Sequence, residues 1–436
     1  APPLGIALRA DGLSAAFVLL TSVVALAVAV VAASEEASTG QRPGFWVLSS
    51  LAWAGLNGVF LTGDLFNAYV ALEVLGLSAV GLVALGGRRA AEAALRYLVI
   101  AVLGSLLVLL AVALVYAPTG TLDIALAAER LPAERAALPL VLATAGLALK
   151  CALAPVHAWL PPAHAGAPAA VSPLLSALVI KGAFYLVLRL WVDLFPIEPG
   201  LALATGILGA IGVLWGGVLA LRQQHLKRII AYSTVAQVGY LFLALPLLAL
   251  PGQRDVVLGA VVAMALAHGL AKSAMFIVAG SLLLGTGTDH IDGLTGASRT
   301  QRSLTAAMML SSVSLVGLPL SLGFAAKWGY AVVAIDNGLW WVLVVLVLGS
   351  VLAAAYLIRP LAAVLRTPED ALDDGDGHDV RSGTGTGTGA GAGAGAVPTR
   401  RPAAQRYVPL VLGLAAVFTG ILAAPLADLV SIGGGS

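Results

Sequence analysis

The 436-residue chain has little charge: Asp, Glu, Lys and Arg together make up 11% of it. Soluble domains carry about a quarter. With 60% apolar residues, so few ionic groups cannot cover a core in water, which excludes a large soluble protein. Cysteine is nearly missing. Cys151 stands alone, so there is no intrachain disulfide and no cysteine cluster for a metal. Acidic and basic residues nearly cancel, 22 against 24, so charge offers no argument for nucleic acid as a partner. No nucleotide, flavin or iron–sulfur signature appears. The opening APPLGIALRADGLS lacks an initiator Met and the charged-then-apolar pattern of a signal peptide. It reads as the start of a fragment.

What the chain does have is long apolar runs. About twenty residues cross a bilayer core as a helix. Runs of that length lie at roughly 12–33, 44–63, 65–86, 94–116, 137–158, 172–194, 201–221, 229–250, 256–285, 304–330, 338–364 and 407–431. They predict an all-α polytopic membrane protein of about twelve transmembrane helices. Basic residues then alternate between sides. Arg42, Arg88, Arg89, Arg96, Arg222, Lys227, Arg228, Arg299, Arg302, Arg359 and Arg366 fall on one side, read as cytoplasmic. Arg9, Arg130, Arg135, Arg189 and Arg254 fall on the other, with both termini. Residues 367–402 run from PEDALDDGDGHD through SGTGTGTGAGAGAGAG to PTRRP. Repetitive Gly with Thr or Ala buries no apolar surface and reads as a disordered cytoplasmic loop.

Lysine is scarcer than arginine, five against nineteen of the 24 basic residues. Four of the five, Lys150, Lys181, Lys272 and Lys327, fall inside apolar segments, while most arginines gather in loops and at helix ends. Arginine stays protonated, whereas a desolvated lysine amine can release its proton near neutral pH. Burial costs about 2.5–3.5 kcal/mol per charge at a helix centre, so four lysines and Glu73 facing lipid as ions would cost roughly 12–18 kcal/mol. They must face protein or water, pair, or titrate. The competing reading for each is a lysine that snorkels to the surface or joins helices through one hydrogen bond.

Glu73, in FNAYVALEVLGLSAVGLVAL, is the acid nearest the centre of an apolar run. Asp64, at the head of the same run, suits an N-cap. His268 and Lys272 are four apart and share a helix face, and His titrates near neutral pH. Tyr232, Ser233 and Gln237 read as hydrogen-bonding glue between helices. Helix breakers accompany two lysines: Pro155 follows Lys150, while Pro319 and Gly323 precede Lys327. Broken helices at corresponding places in two halves mark ion sites in transporters built from inverted repeats. The chain divides accordingly into an N-terminal helix with flanks (1–43), a first five-helix repeat (44–200), a second (201–366), the Gly-rich loop (367–406) and a C-terminal helix (407–436).

KCALAPVHAWLPPAHAGAPAAVSPLLSALVIKGAFYLVLR resembles the signature of the antiporter-like subunits of respiratory complex I and of Mrp-type cation/proton antiporters. LKRIIAYSTVAQVGY, HGLAKSAMFIVAG and GLPLSLGFAAKWG follow in the same order. YAPTGTLDIALAAERL and GIALRADGLSAAF look most like the Mrp D subunit. The resemblance covers nearly the whole chain outside the Gly-rich loop. It implies a fold of about fourteen helices with two inverted five-helix repeats, each containing one broken helix, so two N-terminal helices would be missing here. It also implies roles. Glu73 matches the acid that pairs with Lys150, Lys181 the lysine of the next helix, His268 and Lys272 the central relay, Lys327 the terminal lysine, and His157 the histidine of PxHxWLP. Pro162 stands where the family commonly has Asp, Leu320 where it often has a second Pro, and Leu322 where it often has Ser.

These readings converge on a proton-translocating subunit of a multi-subunit membrane complex in a bacterial-type inner or plasma membrane, most like an Mrp-type Na⁺/H⁺ antiporter. A proton would enter near Lys181, pass along Lys150, Lys181, His268 and Lys272 through water, and leave near Lys327, or travel in reverse. Glu73 would act as a switch: paired, it holds the Lys150 ammonium, and when the pair opens the proton moves on. Opposite charges 4 Å apart interact by about 4 kcal/mol near a dielectric of 20, enough to decide whether a buried lysine keeps its proton. The expected partners are other membrane subunits, protons, Na⁺ and lipid, with no cofactor and no metal. The alternative assembly is a complex I-like, hydrogenase or inorganic-carbon uptake complex, without redox chemistry in this chain. A haem- or quinone-binding enzyme fits less well, because His157 and His164 flank Pro161 and Pro162 and His268 is alone. A purely structural subunit is the third reading.

Overall fold

The computed structural model describes residues 7–39, 43–366 and 402–431. The predicted Gly-rich loop lies outside the described residues, apart from a few positions at its end. The chain runs through α1 (Gly12–Thr39), α2 (Pro43–Leu61), α3 (Leu65–Ala84), α4 (Arg88–Thr119) and the short α5 (Ile124–Arg130). Next come α6 (Ala133–Cys151), α7 (Leu160–Gly166), α8 (Val171–Leu194), α9 (Pro199–Leu221) and α10 (Leu226–Leu248). The last are α11 (Arg254–Thr286), α12 (Arg302–Val316), α13 (Leu322–Asp336), α14 (Trp340–Leu365) and α15 (Ala403–Ser431). Among the described residues there are three isolated β-bridges and no strand.

Ten of these helices are long and apolar enough to cross a membrane. The two remaining predicted helices are each in pieces, α6 with α7 and α12 with α13. Pro155 lies in the first break and Pro319 in the second, where a proline cannot donate the backbone bond that would continue a helix. α6 ends with Ala152 in the left-handed region at φ 56°, and α12 with Gly317 at φ 82°. Leu320, in the second break, is also left-handed, at φ 73°. A proline ring holds φ near −65° and could not take that conformation, so the departure at this position has a backbone consequence.

Burial sorts the helices into two classes. The apolar windows of α8, α10 and α11 are 100%, 94% and 94% buried, whereas the other seven spans bury 22–44%. The outer helices turn residues such as Leu77, Leu106 and Val351 outward. The central three are wrapped by protein on every side, and there a polar side chain can find partners that lipid does not offer.

Small residues allow the closest approaches. A Cβ on Gly146 of α6 would lie 2.5 Å from the Gly104 carbonyl oxygen of α4, and one on Gly104 would lie 2.7 Å from that of Gly146. Gly146→Ala is therefore expected to force these helices apart and to destabilise by about 1–3 kcal/mol, read as a lower melting temperature in detergent.

Two loops share one hydrogen-bond pattern. Leu65 N donates to Leu122 O and Ile124 N to Gly63 O, while Leu226 N donates to Asp289 O and Ile291 N to Gln224 O. Thr119 and Thr286 each sit at the start of the same threonine turn. The resulting bridges pair Asp64 with Asp123 and His225 with His290. Asp64 caps α3, accepting the Asn67 amide at 2.7 Å.

At one end of the bundle Asp193 accepts from Arg9 at 3.1 Å and Arg189 at 2.9 Å, with Arg254 at 3.6 Å. At the other end Arg359 bonds the Leu221 carbonyl and, at 3.2 Å, Gln224. Two basic residues counted with the loops lie inside. Arg189 and Lys227 are 5% and 6% exposed; Arg189 sits about one turn from the end of α8 and Lys227 is the second residue of α10, and neighbouring helices close over both. Periodicity marks a helix end but not what covers it.

Candidate functional site

Glu73 on α3 faces the last turn of α6, where Lys150 Nζ donates to Glu73 Oε1 at 3.1 Å. Ser105 of α4 donates to the same oxygen. Gly104 gives the lysine stem room: a Cβ there would come within 3.2 Å of Lys150 Cγ. The Cys151 thiol is buried against the Ile180 carbonyl at 3.7 Å. It lies within the field of both Lys150 and Lys181.

Lys181 is fully buried in α8. Residues Leu175–Val179 of that helix form a π-turn, an irregularity that widens the backbone ladder. Lys181 Nζ donates to the Ser176 carbonyl within it at 3.1 Å and lies 2.5 Å from His268 Nδ1 of α11. An ammonium donates to a neutral ring, and a neutral amine accepts from an imidazolium. Either partner can therefore hold the proton. One turn along α11, Lys272 Nζ donates to the Ile230 carbonyl at 2.8 Å and to Ser233 Oγ, both on α10.

Lys327 stands apart, in the second half of the other broken helix. Its Nζ donates to the Val316 carbonyl and to Ser350 Oγ, each at 2.8 Å, and lies 4.6 Å above the Tyr240 ring. Between Lys272 and Lys327 the Tyr356 hydroxyl is buried beside Ser233, and the Tyr240 hydroxyl beside Ser350. His157 is in the 152–159 segment between α6 and α7. Its ring meets Tyr232 edge-on at 6.4 Å, and its Nδ1 has no hydrogen-bond partner among the described residues. The structure pairs Glu73 with Lys150 and Lys181 with His268, but leaves His157 beside the line.

The broken helices expose carbonyls that lipid could not satisfy. Trp159 Nε1 donates to Leu149 O at 3.1 Å, Gln237 Nε2 to Leu315 O at 3.1 Å, and Lys327 to Val316 O. Gln237 is thus the glue its position suggested, while Ser233 is a direct partner of Lys272. Sequence reasoning misses Ser105, Ser350, Tyr240 and Tyr356. Ser105 interrupts LVIAVLGSLLVLLAVALV and is legible there as an outlier. The two tyrosines look like any interfacial or core aromatic until the fold turns their hydroxyls inward. Among the described residues no group of three or more His, Cys, Asp or Glu is placed to hold a metal ion.

A sequence pattern described as "NADH:quinone oxidoreductase/Mrp antiporter, TM" matches residues 62–353, which hold the whole line from Glu73 to Ser350. The chain belongs to the NADH:quinone oxidoreductase/Mrp antiporter family. Within that family it is 37% identical over 368 residues to the N subunit of the NADH-quinone oxidoreductase of Desulforudis audaxviator, covering 82% of this chain and 72% of that protein. It is 33% identical over 341 residues to the D subunit of the Na(+)/H(+) antiporter of Alkalihalophilus pseudofirmus, covering 77% and 68%. Its fold superposes on a chain of the Mrp complex from Dietzia sp. DQ12-45-1b with a TM-score of 0.83 at 27% identity, covering 99% of this chain and 84% of that one. This family member is a multi-pass, antiporter-like membrane subunit, similar to chains that work within multi-subunit complexes.

Proposed function

We propose that the chain moves protons through the membrane along Glu73, Lys150, Lys181, His268, Lys272 and Lys327, with Ser233 and Ser350 at the ends of the central gap. The observation that carries this reading is the contact of His268 with Lys181, one helical turn from Lys272, on helices whose apolar windows are 94–100% buried. A merely structural lysine needs one acceptor. Two titratable pairs in contact, Glu73 with Lys150 and Lys181 with His268, followed by two lysines each held by a serine hydroxyl, are an arrangement a relay through water can use. The Glu73–Lys150 pair is the switch: closed, the carboxylate holds the ammonium, and open, Lys150 yields its proton toward Lys181. His157 lies in the broken segment next to this pair and serves the relay from there.

The two matched loop bridges support two repeats, 44–200 and 201–366, of opposite orientation because five membrane passages separate them, with 1–43 and 407–436 as flanking helices around the loop 367–406. The face bearing Arg88, Arg222 and Arg359 is cytoplasmic, in a bacterial plasma membrane. The likeness to the D subunit of a Na(+)/H(+) antiporter supports cation exchange with Na⁺. The higher identity to the N subunit of an NADH-quinone oxidoreductase supports an assembly of complex I type. Flux that requires Na⁺ on the opposite side selects the first.

In vesicles carrying the assembled complex and a pH-sensitive dye, Glu73→Ala and Lys150→Ala are each expected to lower proton flux by at least about a hundredfold, the scale of lost acid–base transfer. Near-normal flux in both variants rejects the switch.

A further inference from the structure

His164 has no part in the relay described above, yet its surroundings are unusual. It is wholly buried in α7, stacked on Phe276 at 4.5 Å, and neither ring nitrogen has a hydrogen-bond partner among the described residues. An imidazole held that way costs free energy unless something visits it. Phe276 stands one turn beyond Lys272 on α11, and the ring lies in the field of both Lys272 and Lys227. Lys227 Nζ donates at 3.3 Å to the Ala167 carbonyl, three residues past His164. Ile230, whose carbonyl receives Lys272, is three residues past Lys227 on α10. The fifth lysine therefore stands about one helical turn along α10 from the carbonyl that holds the central one.

Lys227 leads outward to a surface cluster. Asp289 and Glu35 of α1 face it. Asp289 Oδ1 pairs with His225 Nδ1 at 2.8 Å, and the His225 side chain is 44% exposed. The His290 ring stands edge-on to it at 5.3 Å, with Asp292 3.4 Å from its own Nδ1. The matching bridge at the other loop is instructive. There Asp64 caps its helix, whereas His225 occupies the N-cap of α10 without a capping bond and turns to Asp289 instead. A titratable ring has been placed where the fold needed only a short acceptor.

We infer that His225 with Asp289, then Lys227, then His164 form a side branch that loads protons onto Lys272 from the face bearing Arg222 and Arg359. The inference rests on Lys272 being a proton carrier. The exposed His225 ring, held by Asp289 at its Nδ1, takes a proton from water. The proton passes to a neutral Lys227 amine, then to a ring nitrogen of His164, then to a neutral Lys272 amine. Each donor returns to its starting form, and water bridges any gap wider than a hydrogen bond. The empty nitrogens of His164 are the landing point.

The test uses the assembled complex in vesicles, with acid supplied at the arginine-bearing face. His164→Phe keeps the stack on Phe276 and is expected to lower flux at least about tenfold with an unchanged melting temperature. His225→Gln is expected to slow flux about threefold above neutral pH, where bulk protons are scarce, and little below it. Lys272→Met is the control. Full flux in His164→Phe while Lys272→Met is inactive overturns the branch and leaves the main line standing. Full flux in Lys272→Met rejects the main line itself. Should His164→Phe fail to fold, Lys227→Met is read in its place, with the same loss supporting the branch and full flux overturning it.

Discussion

Lys272→Met is expected to abolish proton flux, by at least about a hundredfold, while the protein folds as well as before or better. The side chain is fully buried and its ammonium is held by one carbonyl and one hydroxyl, with no carboxylate among its hydrogen-bond partners. Methionine has nearly the same length and volume and brings no charge to be desolvated. Replacing buried ionic groups by apolar ones of similar size is often neutral or stabilising by about 1–4 kcal/mol. The measurement pairs dye-monitored flux in vesicles with melting temperature in detergent. Lost flux together with lost stability would mark Lys272 as a structural group. Lost flux at equal or higher stability shows a lysine retained for transport.

Asp193→Ala is expected to have the opposite profile, with stability falling by about 3–5 kcal/mol, the scale for breaking a buried pair from one side. Arg189 and Asp193 are both nearly buried, with side chains 6% and 9% exposed. Removing the carboxylate leaves Arg9 and Arg189 on Asp11 and takes from Arg254 the acid that lies 3.6 Å from it. Arg189 also reaches the Tyr185 hydroxyl at 2.8 Å, which in turn donates to Phe60 O at 2.7 Å, so the cluster ties α1, α2 and α8 together. Melting temperature in detergent reads the loss. The companion prediction concerns acid. Burial pushes the Asp11 carboxyl up, but the Arg189 hydrogen bond, the Ser14 amide and the charges of Arg189 and Arg9 outweigh it and hold the group below its ordinary 3.8. A carboxyl lowered in the folded state stabilises above its unfolded pKa and loses that contribution as pH falls through the folded one. Asp11→Asn is thus destabilising at neutral pH, and the gap to the wild type narrows in strong acid.

The helix count was legible because a twenty-residue apolar run has few other uses in so weakly charged a chain, and both breaks were legible because proline and glycine punctuate a backbone locally. Lysine among arginines was legible for the same reason: identity alone says which cation can lose its proton. Lys227 reads as a loop charge in the sequence because two residues of helix separate a surface position from a buried one. Tyr240 and Tyr356 carry no local signal that the fold buries their hydroxyls beside Ser350 and Ser233.

By itself, then, the sequence determined the medium, the helices, the two breaks and the kinds of group placed inside. These follow from composition and local chain chemistry, which act over a few turns. The tertiary structure alone decided that Lys181 meets His268, that Ser105 shares an oxygen of Glu73 with Lys150, and that α8, α10 and α11 are shut away from lipid. Those contacts join residues 32 to 87 positions apart. They depend on how helices stack, and small residues such as Gly104 and Gly146 set the distances at which they do.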